Sequence, residues 1–401
     1  MGKRDSYQIF SEAGMAGMKL KNRLVRSATY EAAMTKNGRV TDKILNLYQN
    51  LARGGVGLII TGHMAVSAQG KAAARQICLY DDRFIKEIQP IADTVHRSGE
   101  GCKIVAQLSH AGRQVLYDNR DAEAIGPSEV PSPVLKKRAR ALTIEEIEVL
   151  VQSFAEAVVR ARKAGFDGVQ IHAAHGWLIS SFLSPYTNRR KDDYGGSVSN
   201  RVKILREIVS AARKKVGSFP ILAKINCDDH VPGGIHPEEF RLLIREVEKT
   251  GLDAVEISGG MWDCLARSRE ELGFPPVPIP ESRTQIAHPD RQSYYLNSVK
   301  NLNLSIPLIL VGGNRNIESM EKIIREGAVS FLALARPLIN EPDLPRRWLE
   351  GQGKETANCV SCNACLVMVK QFSLCCLLNE NKTMQKVVRR MMPLGWKLFF
   401  R

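Results

Sequence analysis

Two histidines three residues apart, His172 and His175, close a short apolar run (Val169 to Ile171) within GFDGVQIHAAHGWLISSFLSPYTNRRKDDYGGSVSNR, residues 165–201. Imidazoles at a strand end can donate hydrogen bonds to a substrate oxygen that gains negative charge in a transition state. Histidines satisfied by loop backbone would look the same in isolation, so the pair acquires meaning from what stands at the other strand ends. In chain order those ends carry Ala28, Thr29 and Tyr30; Gly62 and His63; Gln107; Lys224; Gly312 and Gly313; Ala335 and Arg336. An amide, a cation, a glycine pair and an arginine suit one polar ligand. A second group of reactive side chains lies far along the chain, in CVSCNACLVMVKQFSLCC, which holds Cys359, Cys362, Cys365, Cys375 and Cys376.

Positioning these groups needs a frame, and the chain supplies a repeating one. Eight β-branched runs start at Leu24, Val56, Lys103, Asp167, Pro220, Asp253, Ile306 and Val329, with amphipathic helical stretches between them. Thr143 and Glu146 have the spacing of a capping box ahead of the long helix that precedes the histidine strand. Repeated βα units imply a parallel sheet with right-handed crossovers, and eight of them predict a closed (β/α)8 TIM barrel. No GxGxxG follows the first strand, so a Rossmann domain has no support. On a barrel the strand ends form the C-terminal face, walled by the long loops 118–141 and 261–289. There the GGN and ARP ends fit an anion site made of backbone amides near a helix start. Gln107 and Lys224 are placed to hold a polar heterocycle, the lysine stabilising negative charge on a ring carbonyl as a reduced flavin requires. The alternative reading of Lys224 is a salt bridge with Asp228 or Asp229.

Composition sets the broad class. The chain has 401 residues, 44% hydrophobic and 25% charged, which describes an ordinary globular protein. No apolar stretch is long enough to span a bilayer and the N-terminal MGKRDSYQIF has no secretory h-region, so the expectation is a cytoplasmic protein. The net charge of +15 invites a nucleic-acid partner, but no aromatic-interleaved basic patch or known motif accompanies it. An anionic small-molecule substrate fits the charge as well. Cys78, Cys102, Cys227 and Cys264 are isolated and read as small buried hydrophobes. The C-x2-C-x2-C run of the other group argues for metal over disulfides in a chain without a secretory signal, either an iron–sulfur cluster or structural zinc. The expected organisation is a barrel over 1–350, a cysteine segment over 351–380 and a basic amphipathic tail over 381–401. The tail suits a protein partner or an anionic membrane surface, with a packed terminal helix as the plainer reading.

The segments KNRLVRSATYE, GVGLIITGHMAVSAQGK, VAQLSHAGRQ, 165–201, ILVGGNRN and LARPLINEPDLP carry a family likeness. The sequence resembles the old yellow enzyme family of FMN-dependent oxidoreductases over about residues 8–376, and within it the branch of 2,4-dienoyl-CoA reductase and trimethylamine dehydrogenase. The resemblance implies FMN on the barrel's C-terminal face, with the backbone at Ala28, Thr29 and Gly62 or His63 bordering the isoalloxazine. It places Gln107 and Lys224 at the pyrimidine edge, and Gly312, Gly313, Ala335 and Arg336 at the phosphate. His172 and His175 then bind the oxygen of an electron-poor alkene. A tyrosine proton donor usually follows two residues later, where this chain has Trp177. An indole N–H cannot release a proton at useful cost. The α-carbon proton then falls to water or to another hydroxyl such as Tyr30 or Tyr186, unless the chemistry needs no such step or Trp177 reshapes the pocket for a bulky substrate. The branch also implies a [4Fe–4S] cluster on Cys359, Cys362, Cys365 and Cys376, with Cys375 as the adjacent competitor. Its relatives continue into FAD and NAD(P)H domains, where only a basic tail follows here. Electrons are then expected from diffusing NAD(P)H or from a redox partner at the cluster. The expected activity is NAD(P)H-dependent ene-reduction by a homo-oligomer without a nucleic-acid partner. An amine or alcohol dehydrogenase and a flavin electron-transfer subunit are the rival readings.

Overall fold

The computed structural model describes residues 6–115, 122–272, 293–371, 373–379 and 382–383. The expected eight strands form: β1 (Leu24–Arg26), β2 (Leu58–Ile60), β3 (Lys103–Ser109), β4 (Gly168–Ala173), β5 (Ile221–Asn226), β6 (Ala254–Ser258), β7 (Leu308–Val311) and β8 (Phe331–Leu334). Each pairs in parallel with the next, and β8 closes on β1 through Ala333 and Val25. The strands read as near-continuous apolar runs because both faces are covered, by the helices outside and by the packed lumen inside.

The lumen is layered by strand parity. At its N-terminal end Val25, Leu58, Ile60, Val105, Leu222, Ala254, Ile309 and Phe331 pack together. An antiparallel hairpin, Ala13–Met15 and Met18–Leu20, pushes Met15, Met18 and Leu20 against them and stoppers that end. Two residues further along β3, β4, β5 and β6 the inward positions turn polar: Gln107, Gln170, Lys224 and Glu256. A closed apolar floor with a polar layer above it makes the C-terminal mouth the place where a ligand can meet chemistry.

Outside, the helix Ile144–Lys163 begins with the expected capping box, Thr143 and Glu146 exchanging both hydrogen bonds. The helix Val198–Val216 is capped by Ser197 and packs alongside it. The four isolated cysteines are buried, as expected of small hydrophobes. No helix among the described residues is long and apolar enough to cross a membrane. The tail lies outside the described residues except Lys382 and Thr383, as do residues 118–121 and 273–289 of the two long loops.

Candidate active site

His172 is the last inward residue of β4 and lies in register with Lys224 on β5. His175 follows on the turn, with φ of 63°. That left-handed backbone is held by its N–H donating to Asn226 Oδ1 (3.1 Å) and its carbonyl accepting from Gln114 Nε2 (2.9 Å). The two rings meet edge-on at 5.1 Å. Both are nearly inaccessible, and burial drives both imidazoles well below their usual range, with Lys224 and the neighbouring histidines adding repulsion to a charge. They are therefore neutral at ordinary pH, each with one N–H to donate. His175 Nε2 lies 2.9 Å from Ser258 Oγ. His172 Nδ1 is buried without a hydrogen-bond partner. A buried polar atom of this kind is costly unless a ligand completes it.

A third histidine joins them. His63 lies 6.2 Å from His172, 5.5 Å from Tyr30 and 4.8 Å from Trp177, ring centre to ring centre. Gln76 Oε1 accepts from the Ala72 N–H (2.7 Å), which turns Gln76 Nε2 toward His63 Nδ1 at 2.9 Å. An amide nitrogen only donates, so Nδ1 is the acceptor and the proton of neutral His63 resides on Nε2. Burial lowers this imidazole to about 4, so it stays neutral. The sequence reading placed only the His63 backbone at the site; its side chain is part of it.

Trp177 packs between the histidines and the post-β6 loop, its ring tilted to the histidines. Its ring is 5.9 Å from His172 and 6.3 Å from Trp262, and it packs with Ala72, Ala111 and Val115. Tyr30 is in this ring cluster, half-buried beside His63. Tyr186 instead packs on the Arg113 guanidinium (5.8 Å) near Asp263. Arg113 and Asp263 form a buried pair at 2.7 Å that ties the post-β3 loop to the post-β6 loop.

Beneath the histidines, Lys224 pairs with Glu256 Oε1 at 3.2 Å and donates to Ser27 Oγ at 2.9 Å. This corrects the reading that offered Asp228 or Asp229 as its partner. Asp229 turns toward Asn226 and the backbone of Ile235, while Asp228 approaches His230. Gln107 donates to Gln170 Oε1 (2.7 Å), and Gln170 donates to Glu256 Oε2 (2.8 Å). Gln170 and Glu256 escaped the sequence reading. The signal was there in parity, since each is a buried polar residue on the inward register of a mainly apolar strand.

The remaining predicted residues ring the mouth. Ala28 and Thr29 are half-buried at the end of β1, and Gly62 is buried with its N–H on Glu31 Oε1 at 2.6 Å. A side chain at Gly62 would collide with the Glu31 carboxylate, 2.1 Å from a built Cβ. Gly312 and Gly313 both hold positive φ, 113° and 79°, and Tyr294 and Tyr295 lie close against them. Ala335 caps the short helix Arg336–Asn340, and Arg336 donates to Asn363 Oδ1 (2.7 Å), so the anion corner touches the cysteine segment. The donor set fits FMN. It offers a cation and an amide at the mouth's centre, a positive-φ glycine pair beside an arginine for phosphate, and a partnerless imidazole nitrogen above.

The cysteine segment packs against this same corner. The Leu374 N–H donates to the Glu31 carbonyl (2.8 Å), and Cys365 packs with Leu47, Ile339 and Leu374. Burial pushes the Cys365 thiol up, and the thiols that act on it are Cys359, Cys362 and Cys376. Cys375 packs instead with Cys362, Ala364 and Met368. Among the described residues no three ligands surround a single metal position.

Residues 8–355 match the NADH:flavin oxidoreductase / NADH oxidase family. The chain is 36% identical over 362 residues to an NADH oxidase of Thermoanaerobacter brockii, covering 88% of this chain and 52% of that protein. It is 32% identical to an NADPH dehydrogenase of Geobacillus sp., covering 84% of this chain and 92% of that one. An old yellow enzyme homologue from Zymomonas mobilis superposes with a TM-score of 0.72 at 25% identity, covering 87% of this chain and 94% of that structure. The chain thus spans about half the length of the first of these relatives.

Proposed function

We propose, for a chain that belongs to the NADH:flavin oxidoreductase / NADH oxidase family, an FMN-dependent ene-reductase acting on an α,β-unsaturated carbonyl, carboxylate or thioester. The observation that carries this reading is the pair of neutral, buried imidazoles, one with a partnerless nitrogen, above a buried lysine. Neutral donors suit an oxygen that becomes an enolate, because they stabilise developing charge without surrendering a proton. The chemistry FMN supplies when bound is two-electron hydride transfer, from a reduced nicotinamide and to an electron-poor carbon.

In this reading Lys224 and Gln107 hold the pyrimidine edge, and Arg336 with Gly312 and Gly313 holds the phosphate. His172 and His175 grip the substrate oxygen, and the Trp177 and Trp262 rings wall a pocket for a flat or bulky acyl group. Trp177 supplies no proton, so the α-carbon proton comes from water or from Tyr30, whose ring is in the cluster. The same Trp177 supports a second reading, oxidation of an amine or alcohol, which needs no such proton. The branch of 2,4-dienoyl-CoA reductase and trimethylamine dehydrogenase, with a [4Fe–4S] cluster on Cys359, Cys362, Cys365 and Cys376, belongs to the proposal. Four thiolates suit iron, and the neighbours of Cys365 favour Cys376 over Cys375.

The test uses the photoreduced holoprotein under argon. Reoxidation of the flavin by an unsaturated carbonyl or thioester supports ene-reduction. Bleaching of the oxidised flavin by an amine or alcohol, with no response to alkenes, replaces it with the dehydrogenase reading. Exchange with a protein partner alone leaves an electron-transfer subunit.

A further inference from the structure

Glu256 is wholly inaccessible and lies at the root of the side-chain contacts that join Ser27, Lys224, Gln170 and Gln107. Its Oε1 accepts from Ser27 Oγ (2.6 Å) and faces Lys224 Nζ (3.2 Å), while its Oε2 accepts from Gln170 Nε2 (2.8 Å). Lys224 donates to Ser27 Oγ (2.9 Å), and Gln107 Nε2 donates to Gln170 Oε1 (2.7 Å). Four elements are joined in this way: the end of β1, β3, β4 and β5, all meeting at one carboxylate on β6.

A carboxylate paired with a lysine only accepts hydrogen bonds, and this determines the direction of the chain above it. Gln170 must turn Nε2 toward Glu256, so its Oε1 faces Gln107. Gln107 must then commit Nε2 downward, which leaves Oε1 as the atom it presents to the mouth. Glu256 also sets how much positive charge Lys224 shows there. At 3.2 Å it offsets part of that charge.

We propose that Glu256 is a positioning residue for the flavin: it makes Gln107 an acceptor and Lys224 a partly compensated cation toward the pyrimidine edge. The inference rests on the reading that Gln107 and Lys224 face that edge. An acceptor there matches the ring's N–H donor between its two carbonyls. A compensated lysine stabilises the reduced, anionic ring less than a bare one would, so Glu256 holds the flavin's reduction potential down. Replacing the carboxylate by an amide of the same shape reverses the sense of the chain: the introduced amide donates to Gln170, Gln170 donates to Gln107 and Gln107 presents N–H to N–H.

Two measurements on the full-length protein test this: the two-electron potential of bound FMN by equilibration with a reference dye, and the Kd for FMN on titrating the apoprotein. Glu256→Gln is expected to shift the oxidised–reduced equilibrium at least tenfold toward reduced flavin, about +30 mV for two electrons. It is also expected to weaken FMN binding about tenfold. Gln170→Leu cuts the relay but leaves the Lys224–Glu256 pair, so FMN binding weakens while the equilibrium moves less than twofold. Lys224→Met is expected to move the equilibrium the opposite way from Glu256→Gln.

A folded Glu256→Gln variant with unchanged potential and Kd, beside a Lys224→Met variant that shifts them, overturns the role of Glu256 and leaves the edge reading standing. If Lys224→Met moves neither quantity, the edge reading fails and takes this inference with it. Should Glu256→Gln not fold, unchanged FMN affinity in Gln170→Leu overturns the relay by itself.

Discussion

The protonation of His63 follows from one glutamine, and Gln76→Glu should reverse it. Gln76 is fully buried, with Oε1 on the Ala72 N–H and Nε2 on His63 Nδ1 at 2.9 Å. Burial holds the imidazole at about 4 against an ordinary 6.5, a shift worth about 3.4 kcal/mol against the charged form. The introduced carboxylate cannot donate, so Nδ1 must carry a proton to pair with it. Opposite charges about 4 Å apart at an effective dielectric of about 20 attract by about 4 kcal/mol, or roughly three pKa units. That offsets the burial penalty and brings His63 to about 7. Long-range ¹H–¹⁵N NMR on histidine-labelled protein reads both the protonated nitrogen and the titration. The wild type should show Nε2–H and an unprotonated Nδ1 throughout pH 5.5–8. The variant should show protonated Nδ1 and a midpoint near neutrality. A wild-type Nδ1–H, or a variant whose His63 stays neutral above pH 5, would falsify the polarity argument.

Asp263→Ala leaves the buried Arg113 guanidinium without its counter-charge and should destabilise the protein by about 3–5 kcal/mol in urea unfolding. Arg113→Met combined with Asp263→Leu should recover most of that loss, and a double-variant loss equal to the sum of the two single losses would show that the pair is not coupled. Trp177→Tyr restores a phenolic donor beside His172 and His63; alkene turnover should rise by about 10²-fold if proton delivery limits it, whereas an unchanged rate assigns the proton to solvent. Cys376→Ser should lower the iron and sulfide content of anaerobically purified protein while Cys375→Ser leaves it near wild type, and the opposite pattern would exchange their roles. Replacing His172 and His175 with Ala should each cost about 10²–10³ in kcat, the scale of one lost oxyanion donor. A loss under tenfold would remove that residue from the site.

The barrel was legible because its signals are local. Each strand announces itself by a short β-branched run, each helix by its periodicity, and Thr143 with Glu146 by a spacing of three residues. Counting the units predicts closure, and closure places every strand end on one face. Gln107, His172 and Lys224 could therefore be grouped before any coordinates. Gln170 and Glu256 obey the same parity and were passed over. Trp177 stands two residues after His175 in the sequence, yet its contact with Trp262 depends on how a loop after another strand folds back.

The amino-acid sequence by itself determined the architecture, the residues at the mouth and the donor chemistry they offer. Only the tertiary structure decided who holds whom. Lys224 has acids four and five residues along its own chain, and it pairs instead with one on the neighbouring strand, because barrel register brings Glu256 directly alongside. His63 acquires its tautomer from Gln76. These choices depend on how strands close and loops pack around one lumen, which sequence spacing alone does not encode.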